Sequence, residues 1–557
     1  MSRTLSGVGV TPRTGVGTAR WHVTGERSRS EDGGDPDVEC ERVDRAFASA
    51  ERGIESTRAR VADWIGEEEA AVFDAHEQFL ADPTIREGIE ATIEAGGSAE
   101  RAVETAFSGP IERFEAMEGR VAERADDLRD VRGRLLDALS GGERVDLSTL
   151  PEGTVLLAER LTPSDTARLD PERVVGFATS TGGRTSHASI FARSLGIPAV
   201  VGVGEALATV EEGETVGIDG RAGEVVVDPN EATSDRLSTT TSEEAIEGRV
   251  ATTDDREIEV AANVGTSVDL DRAAESGADG VGLLRTEFLF LDRATPPDEE
   301  EQLAAYEGAL SAFDERVVVR TLDVGADKPV PYLDALEEVN PFLGLRGIRR
   351  SLADDRRLFE TQLRALLRAG AGRENLAVMV PMVATVEEVE EALAAVDQVA
   401  SDLEGEGVEY ARPELGVMIE TPAAVLSAPA LAERVAFFSV GTNDLSAYVM
   451  AADRENERLA ELRSPLQPAV LRAIAESVEA AHDAGAWIGV CGEMAGDPDL
   501  AELLVGLGVD ELSMSPISVP SVKARVRTIE YEGARALSDR AVAAESVSEV
   551  EDVLGLD

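Results

Sequence analysis

Lysine is almost absent from this chain: of its 557 residues, only Lys328 and Lys523 are lysines. The basic side chains are therefore nearly all arginines, and 109 acidic residues against 53 basic ones give a formal net charge of −56. A protein with this charge repels nucleic acids and anionic membranes, so we expect neither as a partner. Cysteine is equally scarce. Cys40 and Cys491 are the only two, and their separation excludes a disulfide framework.

Long apolar runs are also missing. No segment approaches the ~18 apolar residues that a membrane-spanning helix requires, so we expect no membrane insertion. The N-terminal sequence Met-Ser-Arg-Thr-Leu-Ser-Gly lacks the apolar core of a secretory signal, and we expect a cytoplasmic protein. The acidic excess does not indicate disorder, because 43% of the residues are apolar and follow regular patterns. It is typical of a halophile, in which molar salt shortens the screening length to ~3 Å and suppresses self-repulsion.

A chain of this length divides into several domains, and its apolar pattern changes along the sequence. Short strand-like segments near the N-terminus give way to apolar residues spaced by three, four or seven, which is typical of an antiparallel helical bundle. Strand-like segments then return. We therefore predict one α/β domain over 1–34 and 142–228, with a helical insertion over 35–141. Residues 229–250, rich in serine, threonine and glutamate, are predicted to form a linker.

Beyond residue 250, short apolar segments alternate with longer amphipathic ones. Eight strands are predicted, over 259–263, 280–285, 317–320, 377–380, 415–420, 437–440, 487–491 and 511–514. Eight β/α units in a stretch of roughly this length indicate a (β/α)8 or TIM barrel. The predicted fold class is multidomain α/β, with this barrel over 251–530 and an α/β domain that carries an inserted α-helical bundle. Residues 531–557 are predicted to be a C-terminal helix or a tail.

Most of the predicted barrel strands end in a polar or reactive side chain. TIM-barrel enzymes build their active sites at the C-terminal ends of the strands, here called the barrel mouth, so these side chains should converge there. They are Asn263, Arg285, Arg320, Glu420, Asn443, Asp444 and Cys491. The alternative is that a charge at a strand end only marks the start of a solvated loop.

The predicted barrel mouth holds more cationic groups than carboxylates. Arg346, Arg454 and Lys328 join the arginines at the strand ends, and Glu420 and Asp444 carry the opposing charges. Such a site suits a small anion with a carboxylate and a phosphate, because the arginine fork binds both groups bidentately. The two carboxylates are hard oxygen ligands that suit Mg²⁺, with substrate oxygens and water completing its shell.

A histidine follows a glycine-rich turn in the predicted α/β domain. Gly-Gly-Arg-Thr-Ser-His (182–187) runs into the apolar segment 188–195. Backbone N–H groups in such a turn and at a following helix bind anions, and a neutral imidazole is nucleophilic near neutral pH. His187 is therefore a candidate phosphoryl acceptor. The alternative is a histidine that only makes local hydrogen bonds in the turn.

The segment from Gly182 to Gly202 resembles the phosphohistidine signature of the phosphoenolpyruvate-utilising enzymes. That family includes enzyme I of the sugar phosphotransferase system, phosphoenolpyruvate synthase and pyruvate phosphate dikinase. Further segments resemble enzyme I, and the resemblance extends over roughly Gly7 to Ile529. These segments are 125–131 in the helical insertion and, in the barrel, Gly-Leu-Leu-Arg-Thr-Glu-Phe-Leu-Phe (282–290), 319–329, 340–346, 416–424, Gly-Thr-Asn-Asp-Leu (441–445) and Cys-Gly-Glu-Met-Ala-Gly-Asp (491–497).

The resemblance implies roles at the matching positions. Phosphoenolpyruvate would be bound by Arg285, Arg320, Arg454, Asn443 and Asp444, with Arg346 and Lys328 lining the pocket. Glu420 and Asp444 would hold Mg²⁺. Cys491 would be the general acid that protonates pyruvate enolate, the alternative being a buried cysteine that packs as a small hydrophobe. The helical insertion would bind the phosphocarrier protein HPr, and the barrel would form a homodimer.

Phosphoenolpyruvate synthase and the dikinase need an additional nucleotide-binding domain, and this sequence has no glycine-rich phosphate loop with a partnering lysine. The sequence therefore predicts a phosphotransferase of the enzyme I type. It would move phosphoryl groups from phosphoenolpyruvate to His187 and then to HPr, as the first step of sugar uptake. Two alternatives stay open: a non-catalytic sensor of phosphoenolpyruvate or phosphocarriers, and an enzyme that serves a dihydroxyacetone-kinase or nitrogen-type carrier.

Overall fold

The structure of the chain is a computed structural model that forms two compact units, residues 1–243 and 244–557. It describes residues 2–11, 13–22, 34–64, 72–115, 120–140, 147–171, 173–183, 187–238, 245–291, 293, 295–326, 330, 332–333, 338–454, 456, 459 and 461–556. The predicted pocket residue Lys328 lies outside these ranges, as do residues 184–186 of the histidine turn.

The first unit is built on an eight-stranded mixed sheet. Its strands are β1 (Arg3–Ser6), β2 (Val8–Gly9), β3 (Thr14–His22), β4 (Thr154–Ala158), β5 (Val174–Thr179), β6 (Ala199–Val201), β7 (Thr215–Asp219) and β8 (Glu224–Val227), in the order β1-β8-β7-β3-β4-β5-β6-β2. The run β3 to β6 is parallel and the other pairings are antiparallel. The carboxyl ends of β4 and β5 therefore lie at one edge of the sheet.

Helices connect β3 to β4 across more than a hundred residues of sequence. Among the described residues they are α1 (Pro36–Trp64), α2 (Val72–Leu80), α3 (Pro83–Glu94), α4 (Ala99–Glu115) and α5 (Arg120–Ser140). Their apolar faces form one core in which Ile54, Phe73 and Phe107 are fully buried. The start of α3 is defined by two residues. Asp82 is the N-cap and accepts a hydrogen bond from the Thr84 N–H, and Pro83 occupies the first helical position.

Three shorter helices complete this unit, α6 (Pro163–Thr166), α7 (His187–Leu195) and α8 (Glu231–Ser238). α8 lies inside the segment predicted to be a linker, 229–250. It packs on the sheet because Leu237 is fully buried and its carbonyl accepts a 2.6 Å hydrogen bond from Thr14. Residues 239–244 lie outside the described residues. The last part of the segment, β9 (Val250–Ala251), pairs with the first barrel strand.

The second unit contains a closed parallel barrel. Its strands are β10 (Glu257–Val264), β11 (Val281–Arg285), β12 (Val317–Arg320), β13 (Leu376–Val380), β14 (Glu414–Ile419), β15 (Phe437–Val440), β16 (Trp487–Val490) and β17 (Glu511–Met514). Each strand pairs with the next, and β10 closes the ring by pairing with both β11 and β17. Each of the eight predicted strands overlaps one of these. The predicted fold class is confirmed.

Helices surround the barrel and cover its outer side chains. Those described are α9 (Ser267–Glu275), α10 (Glu299–Ala312), α11 (Ile348–Ala353), α12 (Arg356–Ala369), α13 (Val386–Glu406), α14 (Pro422–Ala432), α15 (Thr442–Val449), α16 (Pro468–Ala484), α17 (Pro498–Leu507), α18 (Val519–Val526), α19 (Tyr531–Ala543) and α20 (Val547–Leu554). α19 and α20 lie in the segment predicted to be a helix or a tail, and they bury Ala534, Ala541 and Val550.

Apolar side chains fill part of the barrel interior. Val318, Met379, Met418, Phe437 and Cys491 form its apolar cluster. At the amino-terminal end of the strands, Trp487 stacks on Phe437 at a centroid distance of 4.3 Å, and the Arg316 guanidinium lies 3.9 Å from the Trp487 ring. The apolar cluster and these stacked rings therefore fill the interior as a packed core, as is usual for a TIM barrel.

Lys523, one of the two lysines, is fully buried in α18. Its ammonium donates to the carbonyls of Ile246, Gly248 and Gly277 at 2.5–3.1 Å and to Asp279 Oδ1 at 2.6 Å. Because a buried ammonium is stable only when it is paired and hydrogen-bonded, this set accounts for its burial. Lys523 ties the chain entering the barrel to the turn that follows α9.

Candidate functional site at the barrel mouth

Two arginines predicted at the mouth, Arg320 and Arg346, converge on one carboxylate. The Arg346 guanidinium donates from Nε and Nη2 to Asp323 at 3.3 and 2.7 Å, and Arg320 Nη1 lies 3.6 Å from Asp323 Oδ2. Arg320 Nη2 also pairs with Glu287 Oε1 at 3.0 Å, and the same oxygen accepts from the Asp323 N–H. The four side chains are at most 8% exposed. Their orientations are fixed by this network.

The arginines of this network remain charged. Burial lowers the pKa of each guanidinium, but the neighbouring carboxylates raise the pKa by more than burial lowers it. The main carboxylate is Glu287 for Arg320 and Asp323 for Arg346. Among the described residues, Arg320 Nε and Arg346 Nη1 are buried without a hydrogen-bond partner. Unused donors on buried, charged guanidinium groups are suited to an oxyanion ligand.

Glu420 follows β14 and is 1% exposed. Its Oε1 accepts a 2.5 Å hydrogen bond from the Met382 N–H. Met382 has φ of +60°, a conformation that is strained for a residue with a side chain. Gly347 makes this possible, because a Cβ there would lie 2.8 Å from Met382 Cβ. The backbone strain at Met382 therefore serves to position the Glu420 carboxylate.

Asp444 lies in the first turn of α15, opposite Glu420. Its Oδ2 is 3.5 Å from Arg346 Nη2, and its Oδ1 is 3.7 Å from Arg454 Nη1. Burial first, and then the charges of Asp444 and Asp323, raise the pKa of Glu420 to about 8. The carboxylates therefore repel one another in the ligand-free protein, and a cation between them would relieve this repulsion.

The rim of the mouth contains the more exposed predicted residues. Arg454 lies 5.0 Å from the Phe342 ring, which stacks on Tyr448 at 4.0 Å. Asn443 is exposed and accepts a 3.3 Å hydrogen bond from the Glu493 N–H. Arg285 is the exposed last residue of β11 and is in register with Arg320 on β12. These polar groups surround the buried arginines and carboxylates.

Cys491 lies directly after β16 and is 4% exposed. Its thiol donates to the Val440 carbonyl at 3.7 Å, and Asn263 Nδ2 donates to the Cys491 carbonyl at 2.9 Å. Burial is the main reason that its pKa rises to about 11. Cys491 therefore holds its proton at neutral pH, as a general acid must. The next residue has to be glycine, because a Cβ on Gly492 would collide with Thr442.

The first unit contains a second candidate site, at the carboxyl ends of β4 and β5. α7 begins at His187, whose side chain lies outside the described residues, and the Ser189 hydroxyl donates to the Gly183 carbonyl at 2.7 Å. The segment before the turn is tied to the end of β4, because Thr181 donates twice to the Glu159 carbonyl. The residues up to Gly183 are therefore held at this edge of the sheet, and α7 begins at His187.

Residues 240–531 match the family profile of the PEP-binding domain of PEP-utilising enzymes. Residues 150–223 match the mobile domain of these enzymes and residues 6–124 their N-terminal domain. The chain belongs to the PEP-utilising enzyme family. This confirms the resemblance found in the sequence.

Relatives within the PEP-utilising enzymes match the whole chain. A phosphoenolpyruvate-protein phosphotransferase of Haloferax volcanii is 57% identical, with 100% of this chain and 99% of the relative covered. One of Staphylococcus carnosus is 41% identical, with 98% of each covered. A solution NMR structure of Enzyme I (nEIt) is 36% identical, covers 42% of this chain and 98% of its own, and has a TM-score of 0.37. The Haloferax relative agrees with the expected halophilic source.

Two buried carboxylates of this PEP-utilising enzyme are absent from the predicted site residues. Glu287 and Asp323 lie in segments that carry the resemblance, 282–290 and 319–329, but beyond the strand ends. When Glu287 and Asp323 are included, the described part of the mouth contains as many carboxylates as arginines. The arginines are Arg285, Arg320, Arg346 and Arg454, and the carboxylates are Glu287, Asp323, Glu420 and Asp444. With every group counted in its ordinary charge state, the described side chains therefore show no excess of positive charge.

A second group outside the prediction lies at the β4 edge. Arg160 follows β4 and pairs with Asp126 on α5 at 2.7 and 2.8 Å, and Arg129 pairs with the same carboxylate at 2.6 Å. Burial, and then the charges of Arg160 and Arg132, lower the pKa of Arg129 to about 10. Burial is the main cause, and the two neighbouring arginines add positive charge that would attract an anion. The segment 125–131 carried the resemblance, so this signal was present in the sequence.

Proposed function

We propose that the chain transfers a phosphoryl group from phosphoenolpyruvate to His187 and then to a phosphocarrier protein of the HPr type, in the first step of sugar uptake. The class of activity is confirmed, because relatives at 41–57% identity over the whole chain are phosphoenolpyruvate-protein phosphotransferases. The observation that supports the route most strongly is the pair of charged arginines, Arg320 and Arg346, held by Asp323 beside Glu420 and Cys491.

In this proposal the substrate binds at the barrel mouth. Arg320 and Arg346 offer buried donors to the phosphate, and the more exposed rim residues Arg285, Arg454 and Asn443 bind the remaining oxygens. Asp444 would contact the substrate through Mg²⁺, and Lys328 is assigned to the pocket from sequence alone. Fixed guanidinium groups stabilise charge on the transferring group without reorganisation, which is the main source of catalysis in phosphoryl transfer.

Mg²⁺ fits the two carboxylates of this mouth. Glu420 and Asp444 are hard oxygen ligands whose mutual repulsion a cation would relieve, and Mg²⁺ commonly takes one or two carboxylates plus substrate phosphate and water. Among the described residues, no cluster of three or more His, Cys, Asp or Glu side chains offers an all-protein metal site. When bound, the metal would neutralise charge on the phosphoryl oxygens.

Departure of the phosphoryl group leaves the enolate of pyruvate, which requires a proton on its methylene carbon. Cys491 is assigned this donation, because its thiol remains protonated at neutral pH and faces the same mouth. His187 is assigned as the acceptor. Its imidazole attacks phosphorus, and the positive pair of Arg129 and Arg160 at the same sheet edge would stabilise the phosphohistidine.

The partners follow from the same proposal. Residues 1–34 and 142–228 form the phosphohistidine domain, and helices of the insertion 35–141 bind HPr. The barrel mediates a homodimer. A cytoplasmic location fits a phosphocarrier client, and no helix in the described part of the chain is long and apolar enough to cross a membrane. In the alternative enzyme, a dihydroxyacetone-kinase or nitrogen-type carrier would accept the phosphoryl group in place of HPr.

Incubation with labelled phosphoenolpyruvate and Mg²⁺ tests the route. We expect an acid-labile, base-stable label that is lost in His187→Ala, and turnover that is lost in Cys491→Ala. Cys40→Ala is the matched control, since Cys40 lies on α1 outside both sites, and it should retain label and turnover. An unlabelled wild-type chain that still binds phosphoenolpyruvate would establish the sensor instead. Transfer of the label to each candidate carrier then identifies the client.

A further inference from the structure

We propose that Ser439 is a positioning residue for the general acid, and that its hydroxyl donates a hydrogen bond to the sulfur of Cys491 once the thiol has given up its proton. This inference rests on the proposed role of Cys491. It concerns a side chain that neither the strand-end pattern nor the family resemblance singles out.

Ser439 and Cys491 belong to adjacent parallel strands and face the same interior. In the β15–β16 register, Ser439 lies opposite Gly489, and Cys491 is two residues further along the second strand. Side chains two residues apart on a strand point to the same face, so Ser439 and Cys491 are diagonal neighbours inside the barrel. Gly489 has no side chain to separate them.

The hydroxyl of Ser439 is buried without a partner. The residue is 2% exposed, and within the described part of the chain its Oγ makes no hydrogen bond. Burying an unpaired hydroxyl is unfavourable, so a native protein retains one where it has a use. The position calls for a small side chain, but alanine would satisfy that requirement without leaving a polar atom unpaired.

In the resting protein the Cys491 thiol has a hydrogen-bond partner other than the Ser439 hydroxyl. The thiol donates its proton to the Val440 carbonyl. When the S–H proton moves to the methylene carbon of the enolate, a C–H bond forms, the S–H electron pair stays on sulfur, and the enolate becomes pyruvate. The Val440 carbonyl oxygen can only accept hydrogen bonds and therefore cannot stabilise the thiolate, whereas the Ser439 O–H can donate a hydrogen bond to it. Water at the mouth returns the proton.

The other charged groups that face Cys491 do not replace this donor. Arg320 favours the thiolate, but its guanidinium is already paired with Glu287 and Asp323. Glu420 and Glu511 oppose the thiolate, and burial opposes it most. A hydrogen bond from the Ser439 hydroxyl to this sulfur would lower the pKa of the thiol. Hydrogen bonds to charged groups are the strong ones, so the loss of this bond should be measurable.

The test uses the fact that the chain has only two cysteines. In a Cys40→Ala parent, the thiolate absorbance of Cys491 is followed against pH, with Cys40→Ala/Cys491→Ser as the blank. We expect Ser439→Ala to raise the midpoint by about 1 pH unit or more. Ser439→Thr, which keeps the hydroxyl, should restore it. Ser477→Ala, which removes a buried hydroxyl that is bonded to Ala473 in α16, should leave the midpoint unchanged.

A second measurement follows the reaction itself. Exchange of the pyruvate methyl protons with deuterated solvent requires Cys491 to add and remove a proton, and we expect Ser439→Ala to slow it about tenfold with little change in the KM for pyruvate. A midpoint and an exchange rate equal to those of the parent would overturn the role of Ser439. The absorbance titration needs no phosphoenolpyruvate. Failure of the parent to label His187 would instead contradict the proposed function and leave the titration readable.

Discussion

Asp323 and Arg346 form a two-point ion pair inside the barrel mouth. The guanidinium donates to both carboxylate oxygens, at 3.3 and 2.7 Å, and each residue is 2% exposed. Because Asp323 also lies 3.6 Å from Arg320, one carboxylate sets the positions of two guanidinium groups. Asp323 does not have to touch the substrate to affect its binding.

Asp323→Asn should therefore affect both stability and catalysis. Removing one partner of a buried pair leaves Arg346 charged and under-compensated, at an expected loss of about 3 kcal/mol in the free energy of unfolding. Misplacement of the two guanidinium groups should lower kcat/KM for phosphoenolpyruvate by about tenfold or more. Denaturant unfolding and steady-state kinetics measure the two effects.

The matched control is Asp397→Asn on α13, where the carboxylate is 65% exposed and pairs with Arg412. An exposed pair contributes at most about 1 kcal/mol, and kcat/KM should not change. If the two variants behaved alike, Asp323 would have no special role in holding the arginines.

The sequence predicts the barrel and most of its mouth for a physical reason. Strands buried on both faces read as short apolar runs, and parallel strands of a barrel bring their carboxyl ends to one side. Arg320, Glu420 and Cys491 could therefore be placed from their positions at strand ends alone. This placement does not depend on which strands are adjacent in the barrel.

Glu287 and Asp323 are site residues that the pattern of polar strand ends does not predict. Each lies just after its strand, Glu287 in a short 3₁₀ helix and Asp323 in a loop, where an acidic residue is as well explained by solvent. Their burial depends on where Arg320 and Arg346 point, which is set by packing between distant segments. Leu237 shows the same limit in the predicted linker, since a single apolar residue in a polar segment gave no signal that α8 packs on the sheet, where Leu237 is buried and Arg236 pairs with Asp219.

Glu511 predicts a pH dependence of stability. This carboxyl faces the barrel interior and is 1% exposed, and among the described residues neither oxygen has a hydrogen-bond partner. Burial, and then the charge of Glu259, raise its pKa from 4.5 to about 8. The folded chain thus binds this proton more tightly than the unfolded chain. The stability that it contributes is complete below pH 4.5 and is lost as the pH rises to about 8.

Glu511→Gln should remove this dependence, because the amide keeps the shape and has no proton to lose. Relative to wild type, the variant should gain a few kcal/mol between about pH 5 and about pH 9. Denaturant unfolding at constant salt measures the gain. Glu257→Gln, at an exposed position of β10, is the control and should parallel wild type. A Glu511→Gln variant that also paralleled wild type would show that the carboxyl is ionised in the fold.

The net charge of −56 predicts that salt stabilises the chain. At low ionic strength the exposed carboxylates repel one another over about 10 Å, whereas at about 1 M the range falls to about 3 Å. The melting temperature should therefore rise continuously with potassium chloride over this range. Calorimetric scans measure the rise. A melting temperature that did not depend on salt would mean that surface arginines, such as those pairing α12 with Glu299, already neutralise the repulsion.

Variants of Lys523 and Asp279 test whether this buried ion pair stabilises the fold, or whether the fold is destabilised only when one partner is left without the other. Lys523→Met removes the ammonium and leaves Asp279 ionised in the core with three carbonyls unpaired, so we expect a loss of about 3–5 kcal/mol. Adding Asp279→Asn should recover part of the loss, because the amide oxygen can still accept the 2.8 Å hydrogen bond of the Val260 N–H without carrying a charge. Urea unfolding of both variants measures the difference. A double variant no more stable than Lys523→Met would mean that the loss comes from the carbonyls of Ile246, Gly248 and Gly277, and that the role of the lysine is to bind backbone.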